Sequence, residues 1–413
     1  MGQTLSEPIV EKHSQKGGDD TLLFGLSDMQ GWRISMEDSH AAVLQLNGSS
    51  GKDKVSFFGV YDGHGGDAVA QYSGEHVHRI ISQDTSFIAG DYEKALKNGF
   101  LNTDKAIREE PRFKEDPSGC TASVVLITGD GRIFCANAGD SRSVLCVRGE
   151  AKPLSFDHKP QNELEKARIC AAGGFVDFGR VNGNLALSRA IGDFEFKKNA
   201  DLPPEQQIVT AYPDVTQHIL DKDDEFLVLA CDGIWDCQTS QAVVEFVRRG
   251  IAAKQELHKI CENLMDNCLA SSSETGGLGC DNMTVIIVGF LQGKTKEEWY
   301  DMIAKRVESE NGSCMVSEYA EFDESEYSYN HWNNNHQVEN YYEESKEPET
   351  QNETTVSFEN IRFGCPSRIL VLDDNSDLLS DHDEVLSEIN DCMDELEDEP
   401  GIEYDKHEEI NNL

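Results

Sequence analysis

The chain has 413 residues and carries 77 acidic against 36 basic side chains, a formal charge of −41. A polyanion gains nothing from counterion release on DNA or RNA and is repelled by anionic lipid headgroups, so nucleic-acid binding and docking on an acidic membrane are disfavoured. Residues 301–413 contain 32 acidic and 6 basic side chains, so most of the excess lies in the last quarter. Metal cations, basic peptides and neutral surfaces remain as partners.

The N-terminus reads Met-Gly-Gln-Thr-Leu-Ser, in which Gly2 and Ser6 fit the N-myristoylation pattern. An unmodified, solvated terminus over residues 1–21 is the alternative, and both stay open. No basic cluster follows, and a single acyl chain gives only weak membrane association.

The twelve cysteines are scattered, with no Cys-x-x-Cys pair and no secretory signal before them. They predict reduced thiols in the cytoplasm or nucleus. No apolar stretch approaches the roughly 18 residues that span a bilayer. We therefore expect a soluble cytoplasmic and nuclear protein, and a monomer.

Apolar runs of strand length, bounded by Gly, Asp and Asn, occupy residues 55–61, 122–128, 132–138, 143–147, 226–231 and 284–290. Their β-branched and aromatic content, with Asp130-Gly131 as a two-residue turn, predicts antiparallel hairpins. Helical spacing predicts helices over 66–82, 92–109, 162–172, 240–253 and 257–270. Because βαβ alternation is missing, residues 22–292 are predicted to form an α+β fold, a central β-sandwich of two antiparallel sheets flanked by helices.

After residue 292 the composition changes. Residues 318–344 are rich in Glu, Tyr, Asn and Ser and poor in aliphatic side chains, which predicts an acidic, mostly disordered extension over 293–413. Two apolar islands, at 361–372 and 378–396, interrupt it. They are chance clusters in a solvated tail or a docking helix for a partner, and both interpretations stay open.

Isolated carboxylates stand at the ends of the predicted strands. Asp62, Asp140 and Asp232 follow such runs, and Asp281 precedes one. In an antiparallel sandwich, strand ends of opposite polarity share one rim, where like charges repel unless cations neutralise them. Oxygen ligands select Mg²⁺ or Mn²⁺ over Zn²⁺. For any single Asp-Gly pair a hairpin turn is the alternative, and Asp130-Gly131 is interpreted that way.

Upstream of these strands, Arg33 stands four residues before Glu37 and five before Asp38. An ordinary salt bridge between Arg33 and Glu37 is one interpretation, worth only about 0.2–0.5 kcal/mol. A guanidinium that grips two phosphate oxygens beside a metal ligand is the other.

Eight motifs now identify a resemblance. They are Gly-Trp-Arg-Ile-Ser-Met-Glu-Asp at 31–38, Tyr-Asp-Gly-His-Gly-Gly at 61–66, Ser-Gly-Cys-Thr-Ala at 118–122, Ala-Gly-Asp-Ser-Arg at 138–142, Asp-His-Lys-Pro at 157–160, Leu-Ala-Leu-Ser-Arg-Ala-Ile-Gly-Asp at 185–193, Ala-Cys-Asp-Gly-Ile-Trp-Asp at 230–236 and Cys-Asp-Asn-Met-Thr at 280–284. In this order they resemble the metal-dependent type 2C (PPM) protein serine/threonine phosphatases, the fungal members in particular. Residues beyond 293 lie outside the resemblance.

The resemblance implies two Mg²⁺ or Mn²⁺ ions, bridged by Asp62, with a weaker third ion nearby. The implied ligands are Glu37, the Gly63 carbonyl and, through water, Asp38 for one ion; Asp232 and Asp281 for the other; and Asp140, Asp232 and Asp236 for the third. No position departs from the family pattern, which argues against an inactive homologue.

The resemblance also implies that Arg33 holds the substrate phosphate and that His64 is the general acid. Paired divalent ions make a water nucleophilic near neutral pH, and a serine or threonine alkoxide needs a proton to leave. For a lone histidine, a turn residue or a direct metal ligand would be the preferred interpretation. The expected substrates are phosphorylated proteins such as signalling kinases, in signalling or stress pathways.

Other phosphatase and kinase chemistries lack their motifs. No cysteine is followed by Arg six positions later, and the Gly-Asn-His-Glu partner of a calcineurin-type Asp-x-His-Gly motif is absent. Asp177-Phe178-Gly179 mimics a kinase motif but has no accompanying catalytic loop, so it is interpreted as a turn. A non-catalytic scaffold whose acidic tail is the working part is the remaining alternative.

Overall fold

Two antiparallel β-sheets pack face to face at the centre of the computed structural model, which describes residues 4–46, 48, 51–273 and 277–311. The first sheet has six strands, in the spatial order β1 (Thr4–Gly18), β2 (Leu22–Arg33), β16 (Met283–Phe290), β15 (Asp224–Ala230), β9 (Arg142–Val147) and β10 (Glu150–Pro153). The second has five, in the order β14 (Asp214–Ile219), β8 (Arg132–Ala138), β7 (Ala122–Thr128), β4 (Val55–Tyr61) and β3 (Ser39–Val43). The predicted strands at 55–61, 122–128 and 132–138 agree with β4, β7 and β8 at both ends.

Smaller elements and helices surround this sandwich. A three-stranded sheet contains β13 (Ile191–Gly192), β6 (Gly119–Cys120) and β5 (Gly63–His64), and a hairpin pairs β11 (Val176–Asp177) with β12 (Arg180–Val181). The helices are α1 (Ala68–Gln83), α2 (Thr85–Ile88), α3 (Tyr92–Glu109), α4 (Glu163–Ala171), α5 (Asp232–Trp235), α6 (Ser240–Ala252), α7 (Leu257–Cys268) and α8 (Lys296–Asn311). Within the described residues, no helix combines the length and apolar content that crossing a membrane requires.

Side-chain alternation along the strands builds three apolar layers. Phe58 of β4 and Leu227 of β15 belong to the central layer, which lies between the two sheets. Phe57, the neighbour of Phe58, belongs to the layer under α1 and α3, and Val228 belongs to the layer under α6 and α7. Because successive strand residues point to opposite faces, a strand covered on both faces is apolar throughout. The predicted sandwich with helices on its outer faces is confirmed.

The N-terminal segment is an edge strand. β1 pairs with β2 from Thr4 opposite Arg33 to Gly18 opposite Leu23, and Lys12 forms an ion pair with Asp266 of α7 at 2.7 Å. This strand lies within residues 1–21, which the sequence predicts to be a segment separate from the folded domain at 22–292. β1 was not predicted, because a polar edge strand that buries little apolar surface shows no clear alternation. Gly2 lies outside the described residues.

The predicted extension at 293–413 begins too early, because α8 packs on the first sheet and on α6. Trp299, Ile303 and Val307 are buried there. Gly289 of β16 provides the space, since a Cβ on it would lie 2.7 Å from the Trp299 ring. The three apolar residues recur every four positions, as in a helix, but the acidic residues around them led to the prediction of a solvated tail. Residues 312–413, including both apolar islands, lie outside the described residues.

We expect Trp299→Ala to lower the free energy of unfolding by about 3–5 kcal/mol, because it leaves a cavity between α8 and the first sheet. Glu297→Ala, an exposed change on the same helix, should cost less than about 0.5 kcal/mol. Urea unfolding followed by tryptophan fluorescence and circular dichroism measures both. Equal effects would show that α8 is not part of the folded core.

A buried ion network holds α4 to the segment that precedes β14. Glu165 accepts hydrogen bonds from Arg168 and Arg189, both at 2.6 Å, and from the Ser188 hydroxyl. Burial alone would raise the pKa of Glu165, but the hydrogen bonds and charges of the two arginines lower it to about 2. The pKa of Arg189 is raised despite burial, whereas burial lowers that of Arg168, so Arg189 is the stronger partner.

The Glu165 network makes stability depend on pH in a defined window. The folded-state pKa lies below the unfolded value of about 4.3, so the stabilisation is complete above about pH 5 and is lost as the pH falls towards 2. Glu165→Gln should lower the free energy of unfolding by roughly 3 kcal/mol at pH 7, and the gap to wild type should narrow by about 1 kcal/mol at pH 3.5. Denaturant titrations at both pH values test this. An unchanged gap would contradict it.

Candidate metal centre and active site

The predicted carboxylates meet at one rim of the sandwich. Asp62 follows β4, Asp140 lies two residues after β8, Asp232 opens α5 directly after β15, and Asp281 lies two residues before β16. Asp62 lies close enough to all of these and to Asp38 for their charges to raise its pKa. Strand ends that are far apart in the sequence therefore meet at one rim, as predicted from the aspartates that stand at the ends of the apolar runs.

Two glycines allow the loops at this rim to touch. A Cβ on Gly63 would lie 2.2 Å from the Glu37 carbonyl oxygen, and one on Gly233 would lie 2.1 Å from the Asn282 carbonyl oxygen. The hairpin-turn interpretation of these two Asp-Gly pairs is therefore wrong, and close backbone approach explains the glycines. The hairpin-turn interpretation is correct for Asp130-Gly131, which connects the paired strands β7 and β8 and in which Gly131 has φ +88°.

Asp38 and Asp62 form the centre of the rim. A carboxylate oxygen of each, together with the Cys231 sulfur, lies within 4.8 Å of the other two. Asp38 accepts a hydrogen bond from the Thr284 hydroxyl at 2.7 Å. Burial, with the charges of neighbouring aspartates, raises the pKa of Asp38 to about 7.

The remaining central carboxylates also resist ionisation. Burial and the charges of their neighbours raise the pKa values of Asp62 and Asp232 well above the usual range. Among the described residues, no lysine or arginine forms an ion pair with Asp38, Asp62 or Asp232. Asp38 is buried and Asp62 and Asp232 are half-buried, so such a cluster of like charges without an ion-pair partner fits divalent cations, which would neutralise it.

The donor set favours a hard cation. Burial, followed by the charges of Asp38 and Asp62, raises the pKa of the Cys231 thiol well above its usual range, and its sulfur accepts the Thr284 backbone N–H at 3.2 Å. A neutral thiol engaged in this way is a poor ligand. The available donors are therefore oxygens, which suit Mg²⁺ or Mn²⁺.

The residues of the predicted third site are arranged differently. Asp140 is buried and accepts a hydrogen bond from the Lys159 ammonium at 2.5 Å. Asp236 is exposed, one residue beyond α5. Lys159 thus already supplies one positive charge where the third ion was expected.

Arg33 ends β2 and contacts the rim. Its Nη2 donates to Asp281 Oδ2 at 2.5 Å, so the salt bridge to Glu37 is not formed. Glu37 instead accepts from the Ser35 hydroxyl and from the Gly66 backbone N–H. The Arg33 side chain is 42% exposed, which leaves the rest of its guanidinium open to solvent.

His64 lies in the short strand β5 and is paired with a carboxylate. Its Nε2 lies 2.7 Å from Asp193 Oδ2. Burial opposes a charged ring, but the hydrogen bond and the charge of Asp193 outweigh it and raise the pKa of His64.

Sequence reasoning missed several residues that organise this site. Asn282 donates to the carbonyls of Gln30 and Ser35 and accepts the Glu37 N–H, so it holds the Arg33 loop against the Asp281 loop. Thr284, Lys159 and Asp193 also escaped assignment. All four lie inside the motifs quoted above. Their motifs were the available signal, but their contacts link residues up to 252 positions apart.

This fold and this carboxylate rim define a metal-dependent phosphohydrolase. A model of the protein phosphatase 2C family matches residues 22–277. The protein phosphatase 2C homolog 2 of Hypocrea jecorina is 68% identical over 327 residues, covering 78% of this chain and 74% of its own. The homolog 3 of Schizosaccharomyces pombe is 64% identical over 321 residues, covering 78% and 77%. A solved phosphatase from Toxoplasma gondii, 27% identical, superposes with a TM-score of 0.56 over 68% of this chain and 96% of its own.

The chain therefore belongs to the protein phosphatase 2C family. Enzymes of this family are metal-dependent serine/threonine phosphatases, and the chain is a protein-serine/threonine phosphatase. The family resemblance stated from the eight motifs is confirmed. The ligand assignments and the number of ions remain predictions.

We expect Asp62→Asn to separate metal binding from folding. In EDTA the variant should unfold at a temperature no lower than wild type, because an amide replaces a carboxylate whose charge is opposed by burial and by its neighbours. Saturating Mn²⁺ should stabilise wild type by about 3 kcal/mol at 100 times its Kd and leave the variant unchanged.

Thermal unfolding and isothermal titration with Mn²⁺ measure both effects. The matched control is Asp130→Asn, an Asp-Gly turn remote from the rim, which should keep the full metal response. An Asp62→Asn variant that bound Mn²⁺ like wild type would contradict the assignment.

Proposed function

We propose that the chain hydrolyses phosphoserine and phosphothreonine monoesters in proteins at the carboxylate rim. The observation that carries the proposal is the cluster of Asp38, Asp62 and Asp232, buried or half-buried, which form no ion pair with a lysine or arginine in the described part of the chain. The residues that would hold two Mg²⁺ or Mn²⁺ ions are Glu37, Asp38, Asp62, the Gly63 carbonyl, Asp232 and Asp281. When bound, such ions supply a water that is nucleophilic at neutral pH and offset charge on the phosphoryl oxygens.

A third, weaker ion would use Asp140 and Asp236 with Asp232. Its weakness has a cause in this chain, since the Lys159 ammonium already pairs with Asp140. An ion that binds there must displace or share that interaction.

Arg33 would bind the substrate phosphate. Asp281 holds only its Nη2, and among the described residues its Nη1 and Nε have no hydrogen-bond partner. A guanidinium fixed at one end presents its remaining N–H groups to phosphate oxygens with less loss of side-chain freedom. Asp281 therefore has two roles in the proposal, as a metal ligand and as the residue that orients Arg33.

His64 would protonate the leaving oxygen. The Asp193 carboxylate favours the charged ring, which is the form that can donate a proton. Serine and threonine alkoxides are poor leaving groups, so this proton transfer accompanies cleavage of the P–O bond.

The substrates in this proposal are phosphorylated proteins, including signalling kinases, and the enzyme counteracts kinases in signalling or stress pathways of the cytoplasm and nucleus. The acidic residues beyond position 311 would recruit or select substrates. An acyl group on Gly2 would add at most weak membrane association.

We expect phosphate release from a phosphothreonine peptide to require Mg²⁺ or Mn²⁺, to be lost in EDTA and to resist okadaic acid. Asp232→Ala should lower turnover more than about 100-fold, because it removes a carboxylate assigned to metal binding. Colorimetric phosphate detection measures both.

Asp130→Asn serves as the control and should keep full turnover. Peptide hydrolysis that continued in EDTA would contradict the proposed mechanism. Unchanged turnover by Asp232→Ala would contradict its assignment as a ligand.

A further inference from the structure

We propose that Asp193 is a positioning residue for the reaction, and that its carboxylate fixes the His64 ring so that Nδ1 is the nitrogen that faces the leaving oxygen. The inference rests on the proposed role of His64 as the proton donor. His64 Nε2 is taken up by Asp193 at 2.7 Å, and among the described residues Nδ1 has no hydrogen-bond partner. One nitrogen is therefore committed to the protein and the other is left for substrate.

The contact between His64 and Asp193 has room only because residue 119 is a glycine, which has no side chain. A Cβ on Gly119 would lie 2.3 Å from Asp193 Oδ2 and 2.7 Å from His64 Nε2. Only glycine at this position lets the carboxylate and the ring meet. Asp193 is 5% exposed, so water competes little for its oxygen atoms.

The small sheet aligns the two partners from both sides of Gly119. His64 of β5 pairs with Gly119 of β6, and Gly192 of β13 pairs with the same glycine from the other side. Asp193 follows Gly192 directly. The three two-residue strands therefore fix the backbone positions of His64 and Asp193 relative to each other, independently of the contact between their side chains.

The backbone conformation of Asp193 is unusual for an aspartate, and its turn geometry alone does not explain the side chain. Asp193 has φ +49° and ψ +44°, in the left-handed region, which is unfavourable for a residue with a Cβ. It precedes the short turn Phe194–Phe196, yet its side chain makes no capping hydrogen bond there. Its hydrogen-bond partner is His64 instead. A residue kept only for turn geometry would be better as glycine.

The proton-transfer step then follows from the ring geometry. A water oxygen forms a bond to phosphorus and releases a proton to solvent, while the P–O bond to the serine or threonine oxygen breaks and its electron pair stays on that oxygen. The His64 Nδ1–H bond breaks at the same time, and the proton forms an O–H bond on the leaving oxygen. The neutral ring keeps its Nε2–H, which continues to donate to Asp193, so the hydrogen bond survives the step.

Two substrates separate this role from a structural one. p-Nitrophenol leaves as a stable anion and needs no proton, whereas threonine does. We expect Asp193→Gly, which suits the left-handed backbone, to lower kcat for a phosphothreonine peptide about 10- to 100-fold and to change kcat for p-nitrophenyl phosphate less than about threefold. KM and the Mn²⁺ affinity should stay unchanged. Asp193→Asn, which keeps an oxygen acceptor, should lie between Asp193→Gly and wild type.

Three further variants complete the test with the full-length, Mn²⁺-loaded enzyme. Glu195→Gln, an exposed carboxylate in the adjacent turn, should behave as wild type. His64→Ala should show the same dependence on the leaving group, and Asp193→Gly in the His64→Ala background should cause no further loss.

The outcomes distinguish the two proposals. Equal losses on both substrates for Asp193→Gly, with a selective loss for His64→Ala, would overturn the positioning role alone. No leaving-group dependence for His64→Ala would overturn the proton-donor role, and the positioning role with it. As a measurement on the wild-type protein, ¹⁵N spectra of labelled histidine, assigned with His64→Ala, should show a protonated Nε2 in the neutral His64 ring. Protonation at Nδ1 instead would overturn the proposal.

Discussion

Repulsion between clustered carboxylates is the constraint on which the rest of this structure depends. Asp38, Asp62 and Asp232 lie together with no basic side chain paired to them in the described part of the chain. Such a cluster is tolerable only when protons or cations share the charge. The sandwich provides the rigidity, because the carboxylates stand beside ladders of strands covered on both faces.

Glycines allow the rigid strand ends and loops to approach each other closely. Gly63 and Gly233 allow neighbouring loops to touch at the rim, and Gly119 leaves room for the contact between His64 and Asp193. Asn282 then joins the Arg33 loop to the Asp281 loop, because its side-chain amide donates to the Gln30 carbonyl and accepts the Glu37 backbone N–H. The carboxylate rim and the His64–Asp193 pair are thus supported by separate contacts, which allows substitutions to disturb one without the other.

Strong local patterns made much of this predictable. The runs at 55–61 and 122–128 are strands because their apolar content is continuous, and Asp62 could be placed at a rim because it ends one of them. β1 and α8 were missed, since a polar edge strand lacks alternation and the acidic surroundings of Trp299 resemble a solvated tail. The partners of Arg33 and His64 could not be predicted, because both contacts join residues more than 100 positions apart.

The pairing of Thr4 with Arg33 has a practical consequence for handling the enzyme. Thr4 lies opposite Arg33, so an affinity tag or fluorophore joined ahead of Thr4 enters the fold beside the strand end that carries the guanidinium. Labels for measurements at the active site are therefore better attached elsewhere on the surface.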